Sequence, residues 1–152
     1  MAEYFFDTSA LVRLYHTEQG TEAVAAVLAE PGRRIRISLL GFLEMQSAFA
    51  LKVRSGALER SAAGIQRARL MLDIAAGELE VLLLTHEHFE VAERLIGRHS
   101  FTRRLRTLDA LQLAVAVGLR KEGRLDSFVA ADKALLEIAA LEGLPVLNPE
   151  VT

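Results

Sequence analysis

The sequence predicts an α/β fold, and three observations carry that prediction. Apolar strand-like runs alternate with segments of helical periodicity along the whole chain instead of forming blocks of one kind. One of these runs, Val81-Leu82-Leu83-Leu84, is continuously apolar, as expected of a strand covered on both faces of a parallel sheet. Glycines fall where helices should stop, at Gly56, Gly77, Gly123 and Gly143.

The elements follow in order. The first strand spans about Glu3 to Asp7, rich in aromatic residues, and is followed by a helix from about Ser9 to Thr17. Either hydroxyl, Thr8 or Ser9, can cap that helix. Gly20 introduces a second helix reaching Glu30, and Pro31-Gly32 is the turn that ends it. Arg34 to Leu39 reads as the second strand, and about Leu40 to Ser55 as a helix ended by Gly56. The next helix places Leu58, Ala62, Ile65, Ala68, Leu72 and Ala75 at intervals of three and four. The third strand is Leu79 to Leu84. Thr85 caps a helix from about His86 to Arg98, and Thr107 caps one from Leu108 to Glu122. Ser127 to Ala130 is a short strand and Asp132 starts a helix to about Glu142. Pro145-Val146-Leu147 is a last edge strand that tolerates proline. No linker, repeat or low-complexity stretch divides the chain, so residues 1–152 are expected to form a single domain.

Composition limits the function classes. A chain of 152 residues buries roughly 70% of its unfolded surface, enough for a core without staples. With no cysteine, disulfides, thiolate zinc sites and cysteine nucleophiles are excluded. The N-terminus lacks the order of a signal peptide, and the longest uncharged run, Ala110 to Leu119, is about half of a membrane span. These features predict a soluble, cytoplasmic protein. A net charge of −2 means that any nucleic-acid contact must come from a local patch. At 51% hydrophobic and a mean hydropathy of +0.25, the chain is apolar enough to expect that a partner covers part of its surface.

The chemistry lies in four acids placed at expected strand ends or helix starts: Asp7, Glu44, Asp109 and Asp132. In open α/β sheets ligands bind beyond the carboxyl ends of the strands, which puts Asp7 on the functional rim. Asp109 also reads as a first-turn acid favoured by its helix dipole, and Asp132 as an N-cap. Glu44 is surrounded by Leu40, Phe42, Leu43, Met45, Phe49, Leu51 and Val53, so its carboxylate needs a partner. Several acids sharing one cation would satisfy all of them. An all-oxygen set points to Mg²⁺ or Mn²⁺.

These pieces resemble the PIN-domain ribonucleases, and most of all the VapC-type toxins of bacterial toxin–antitoxin pairs. The matching segments are Asp7-Thr8-Ser9-Ala10-Leu11, Ser38 with Glu44, Leu108 to Ala114, and Phe128 to Asp132 followed by Gly143 to Val146. The resemblance implies a three-layer α/β/α fold with a central, mostly parallel sheet of four to five strands. It implies metal-dependent hydrolysis of RNA phosphodiesters, with Asp7 and Asp109 as main metal ligands and Glu44 and Asp132 completing the set. Thr8 and Ser9 match hydroxyls that orient Asp7 or a bound water. It also implies a homodimer silenced by a VapB-like antitoxin, for which the apolar helix Leu40 to Val53 offers part of the groove or of the dimer contact. Two positions depart from the family pattern: Gly41 replaces a Ser or Thr before the glutamate's helix, with Ser38 as an alternative cap, and Ala130 replaces a hydroxyl before the last acid.

The run Arg98 to Arg106 holds four arginines and no acid, which makes Arg103, Arg104 and Arg106 candidates for RNA phosphates, against the alternative of a solvated connection. His86 and His88 start a helix without metal-motif context, and His16 and His99 are expected at the surface. Two other function classes fit the acids: a catalytically silent RNA- or protein-binding module, and phosphotransfer with Asp7 as nucleophile. The latter usually needs a second acid two residues on, where Ser9 stands.

Overall fold

A computed structural model describes residues 2–151. Its centre is a five-stranded, all-parallel sheet in the order β3-β2-β1-β4-β5, built from β1 (Glu3–Phe6), β2 (Arg34–Ser38), β3 (Glu80–Leu82), β4 (Ser127–Val129) and β5 (Val146–Leu147). The first strand of the chain is thus the middle one of the sheet. It pairs with β2 through Tyr4↔Ile35 and with β4 through Phe5↔Phe128.

Alternation along β1 explains why helices cover both faces. Phe5 points to one side, where it stacks on Phe128 at 6.0 Å between ring centroids. That side is sealed by α5 (His86–His99), α6 (Thr107–Lys121) and α7 (Lys133–Leu141), through Leu95, Leu113 and Ile138. Tyr4 and Phe6 point to the other side, against Leu11, Val24, Met45 and Leu70 from α1 (Thr8–Leu11), α2 (Thr21–Ala29), α3 (Leu39–Arg54) and α4 (Arg60–Ala75). The result is a three-layer α/β/α arrangement in which β1 is buried on both faces.

Several elements differ from expectation. The helix expected over Ser9 to Thr17 stops at Leu11 and continues only as a 3₁₀ turn, Val12–Leu14. Its cap is Asp7, not Thr8 or Ser9, because a cap side chain comes from the residue before the first helical one. The same shift applies to α6: Thr107 is its first helical residue, and Arg106 holds the cap position without a side-chain hydrogen bond. The third strand is shorter than Leu79 to Leu84, and its two faces are partly covered, Val81 packing on one side and Leu82 with Leu84 on the other. It lies at the sheet edge, where Leu83 is 68% exposed. The glycine stops stand as expected, Gly77 and Gly143 at φ 79° and 83°. Among the described residues no helix is long and apolar enough to cross a membrane.

At the amino ends of the strands lies a separate charged feature. Arg36 of β2 has no exposed surface and is paired to Glu80 Oε2 at 3.0 Å and Glu3 Oε1 at 3.4 Å, with the Arg124 carbonyl as a further acceptor. Breaking such a buried set on one side strands a charge.

Candidate active site

The four acids lie at the opposite, carboxyl-terminal end of the sheet, around the β1/β4 boundary, within range of one another's charge. There the chain order reverses direction, the place where open α/β sheets bind ligands.

Asp7 follows β1 directly. Its backbone N–H donates to the Val129 carbonyl at 2.9 Å, which ties it to the end of β4, and the side chain is only 5% exposed. Ser9 donates to Asp7 Oδ2 twice, from Oγ at 2.6 Å and from the backbone N–H at 3.1 Å. The same Ser9 hydroxyl accepts from the Ala131 N–H at 3.0 Å, so it pins the turn that leads to Asp132. Burial pushes the Asp7 carboxyl up. The Ser9 bonds pull against that, the charges of Glu44 and Asp132 add to it, and the outcome is a pKa of about 6.

Asp109 stands in the first turn of α6, half-buried. Its pKa is also about 6, raised by burial and then by the charges of Asp7 and Asp132, with Arg106 and Arg104 opposing. Glu44, half-buried on α3, is raised by burial against hydrogen bonds from Thr8 and Gln112, with Asp109 adding to the rise. Asp132 caps α7 by accepting from the Leu135 N–H at 3.2 Å. Asp7 is raised by Glu44 and Asp132, Asp109 by Asp7 and Asp132, and Glu44 by Asp109, which identifies one shared electrostatic locus.

The two hydroxyls divide their work. Ser9 serves Asp7, whereas Thr8 donates to Glu44 Oε1 at 3.0 Å. Ser38 is the cap of α3 and accepts from the Gly41 N–H at 2.9 Å, so the departure at Gly41 leaves the cap intact. One participant was not singled out from the sequence: Gln112, fully buried, donates to Glu44 Oε1 at 3.1 Å and to Thr8 Oγ1 at 3.2 Å. A signal existed, since Gln112 is the one polar side chain in the run Ala110 to Leu119 and lies one turn beyond Asp109 on the same helix face.

The arginine run splits. Arg104 Nη2 is 3.9 Å from Asp132 Oδ2, and the charges of Arg104 and Arg106 reach Asp109. Arg103 instead pairs with Glu137 of α7 at 3.3 Å, and Arg98 with Glu142 at 2.7 Å. His99 is not a surface residue. It is buried, with Nε2 2.6 Å from Glu142 Oε2, because the end of α5 packs against the end of α7. His88 closes a capping box with Thr85, and His86 lies 3.2 Å from Glu90.

The donor set here is carboxylate and hydroxyl oxygen, suited to a hard divalent cation. Among the described residues no three Asp, Glu or His side chains converge tightly enough to ligate one ion by themselves. Such a cation takes only one or two carboxylates directly and keeps several waters, so the donors fit it.

The sequence matches the PIN-domain model over residues 4–141. The chain belongs to the PIN-domain family. PIN domains are nucleases, and this one shares its fold with solved toxin structures at low identity. It is similar to FitAcB from Neisseria gonorrhoeae, 16% identical, covering 98% of this chain and 99% of that one with a TM-score of 0.68. VapBC2 from Rickettsia felis, bound to a DNA fragment from its promoter, aligns at 14% identity over 95% and 97% of the chains, TM-score 0.66. VapC20 from Mycobacterium tuberculosis, a toxin that cleaves the sarcin–ricin loop, aligns at 22% identity over 88% and 93%, TM-score 0.64. No curated protein is matched by the sequence. Against this PIN fold, the expected mostly parallel sheet of four to five strands is met by a sheet of five, all parallel.

Proposed function

We propose that this PIN domain is a Mg²⁺- or Mn²⁺-dependent endoribonuclease and the toxin of a VapBC-type toxin–antitoxin pair. The observation that carries the reading is the electrostatic coupling at the β1/β4 boundary, where burial and neighbouring carboxylates, that of Asp132 among them, make Asp7, Glu44 and Asp109 costly to ionise unless a cation is present.

A bound divalent cation supplies charge neutralisation at the phosphoryl oxygens and lowers the pKa of the attacking water. The chain's own residues do the rest. Asp7, fixed by Ser9, and Asp109 present oxygens from opposite sides of the boundary. Glu44 and Asp132 complete the set, and one of these two carboxylates accepts the proton of the attacking water as its oxygen bonds to phosphorus; the P–O bond to the leaving ribose oxygen breaks and that oxygen takes a proton from solvent. Arg104 and Arg106, beside Asp132 and Asp109, hold flanking phosphates. The test is cleavage of RNA by the purified protein with Mg²⁺ or Mn²⁺, with chelator, and with Asp109→Asn. Cleavage that ignores the chelator, or survives the substitution, overturns the reading.

The catalytically silent module stays as the second reading, because no three acids among the described residues converge on one point. RNA binding without metal-dependent cleavage would establish it.

The partners follow from surface chemistry. Between α3 and α4 a groove of about 460 Å³ is lined by Phe49, Ala50 and Val53 with Arg54, Arg60 and Arg67 around it, complementary to an amphipathic acidic segment such as a VapB-like antitoxin would offer. Several relatives of this fold were solved as toxin–antitoxin complexes, among them one from Klebsiella pneumoniae at 19% identity. Exposed Leu39, Leu43 and Leu83 are the reading's homodimer contact.

A further inference from the structure

Gln112 is wholly buried yet polar at both ends of its amide, and both contacts of its nitrogen lead toward one acid of the site. The direction of the hydrogen bonds is fixed by the chain. Ser38 Oγ accepts from the Gly41 N–H, so its own proton is free to go to Gln112 Oε1, 2.6 Å away. With that oxygen committed to Ser38, the amide N–H groups face Thr8 Oγ1 and Glu44 Oε1. A flipped amide would set its oxygen against a carboxylate. Thr8 donates to the same Glu44 Oε1. Both side-chain donors to Glu44 therefore end on Oε1, and Oε2 takes no hydrogen bond from the described residues.

Space for this arrangement is supplied by Gly41, where a Cβ would come within 3.0 Å of Gln112 Nε2 and 3.5 Å of Ser38 Oγ. A Ser or Thr at this position would press on the amide. The unusual glycine and the buried glutamine thus make one device.

We infer that Gln112 is a positioning residue, held by Ser38 and admitted by Gly41, that ties down Oε1 of Glu44 and thereby leaves Oε2 as the oxygen presented to the acidic cluster. The inference rests on the nuclease reading for its consequence but not for its geometry, and two measurements keep them apart. The first is the side-chain amide resonance of Gln112 in the full chain without metal. It is expected to exchange slowly with solvent and to shift in both Ser38→Ala and Glu44→Gln; a resonance indifferent to Glu44→Gln overturns the inference. The second is Mn²⁺ affinity by calorimetry. Gln112→Met, nearly isosteric but without donors, is expected to weaken it on the order of 10–100-fold, with Gly41→Ala acting in the same direction. In a Glu44→Gln background Gln112→Met should add nothing, since it acts through that side chain. Additive losses, or unchanged affinity in Gln112→Met, overturn it. A wild-type protein that binds no Mn²⁺ sinks the nuclease reading, while the amide resonance still decides the role of Gln112.

Discussion

At the scale of single residues, Asp7 does two jobs that oppose each other. As the cap of α1 it stabilises a helix start, and as a nearly buried acid beside other acids it costs stability when ionised. Because its folded pKa, about 6, is raised from 3.8, this contribution is most favourable below 3.8 and is lost as pH rises through 6, reaching a plateau above. Asp7→Asn keeps a good cap and removes the charge, at the expense of the charge-assisted bonds from Ser9. We expect it to stabilise the metal-free protein by about 1–2 kcal/mol at pH 7, less at pH 5, while abolishing cleavage; denaturant melts at the two pH values check this. Glu142 behaves in the opposite sense. Burial raises its carboxyl, but bonds from His99 and Arg98 outweigh that and leave it below 4.5, so its contribution is present above that value and is lost as pH falls through the lower folded value. Glu142→Gln should therefore destabilise at neutral pH, by about 1–3 kcal/mol, with the difference from wild type shrinking in acid denaturation below pH 4.

Elements explain why some residues were legible and others were not. Asp7, Asp109 and Asp132 could be placed from the sequence because each sits at a boundary where strand or helix signals change, and boundaries at strand ends are where sites form. Gln112 stands out as the one polar side chain in a run that reads as core, but the acid its amide meets, Glu44, lies 68 residues away in the chain and is not visible locally. The run Val81 to Leu84 shows the two packed faces of its strand but not its place in the sheet: composition reports what covers the faces, whereas the strand pairing is set far along the chain, and β3 has no partner on its outer edge. The basic connection into α6 divides by what the neighbouring helix offers. Since Glu137 of α7 holds Arg103 and no such partner is bonded to Arg106, we expect Arg104→Ala with Arg106→Ala to weaken RNA binding and lower its salt slope by about 1–2, with Arg103→Ala having the smaller effect. Binding titrations at several salt concentrations distinguish the pairs.

For the molecule as a whole, the two ends of the sheet carry different chemistry. The amino ends hold charge that is internally paired around Arg36, and the carboxyl ends hold acids that, among the described residues, have no cationic side chain closer than Arg104 at 3.9 Å from Asp132. On the proposed reading, a divalent cation relieves that imbalance. Mg²⁺ or Mn²⁺ should then raise the melting temperature more at pH 7.5, where Asp7 and Asp109 are ionised, than at pH 5, where both hold protons and ligand binding must displace them. Equal shifts at both values would count against cation binding at these acids. Exposed Leu39, Leu43, Leu83 and the 91% exposed Phe101 belong to the apolar surface that the high hydropathy of the sequence led us to expect, and sedimentation of the purified chain reports whether a second copy covers them.

The central place of β1 sets an order of events during synthesis. Asp7 precedes β4 by some 120 residues in the chain, so the strand that carries it acquires its second neighbour only when β4 and the Asp132 turn have left the ribosome. The quartet of acids does not exist on a partly made polypeptide. On the proposed reading, a nascent copy from which β4 has not yet emerged has no assembled blade with which to cut.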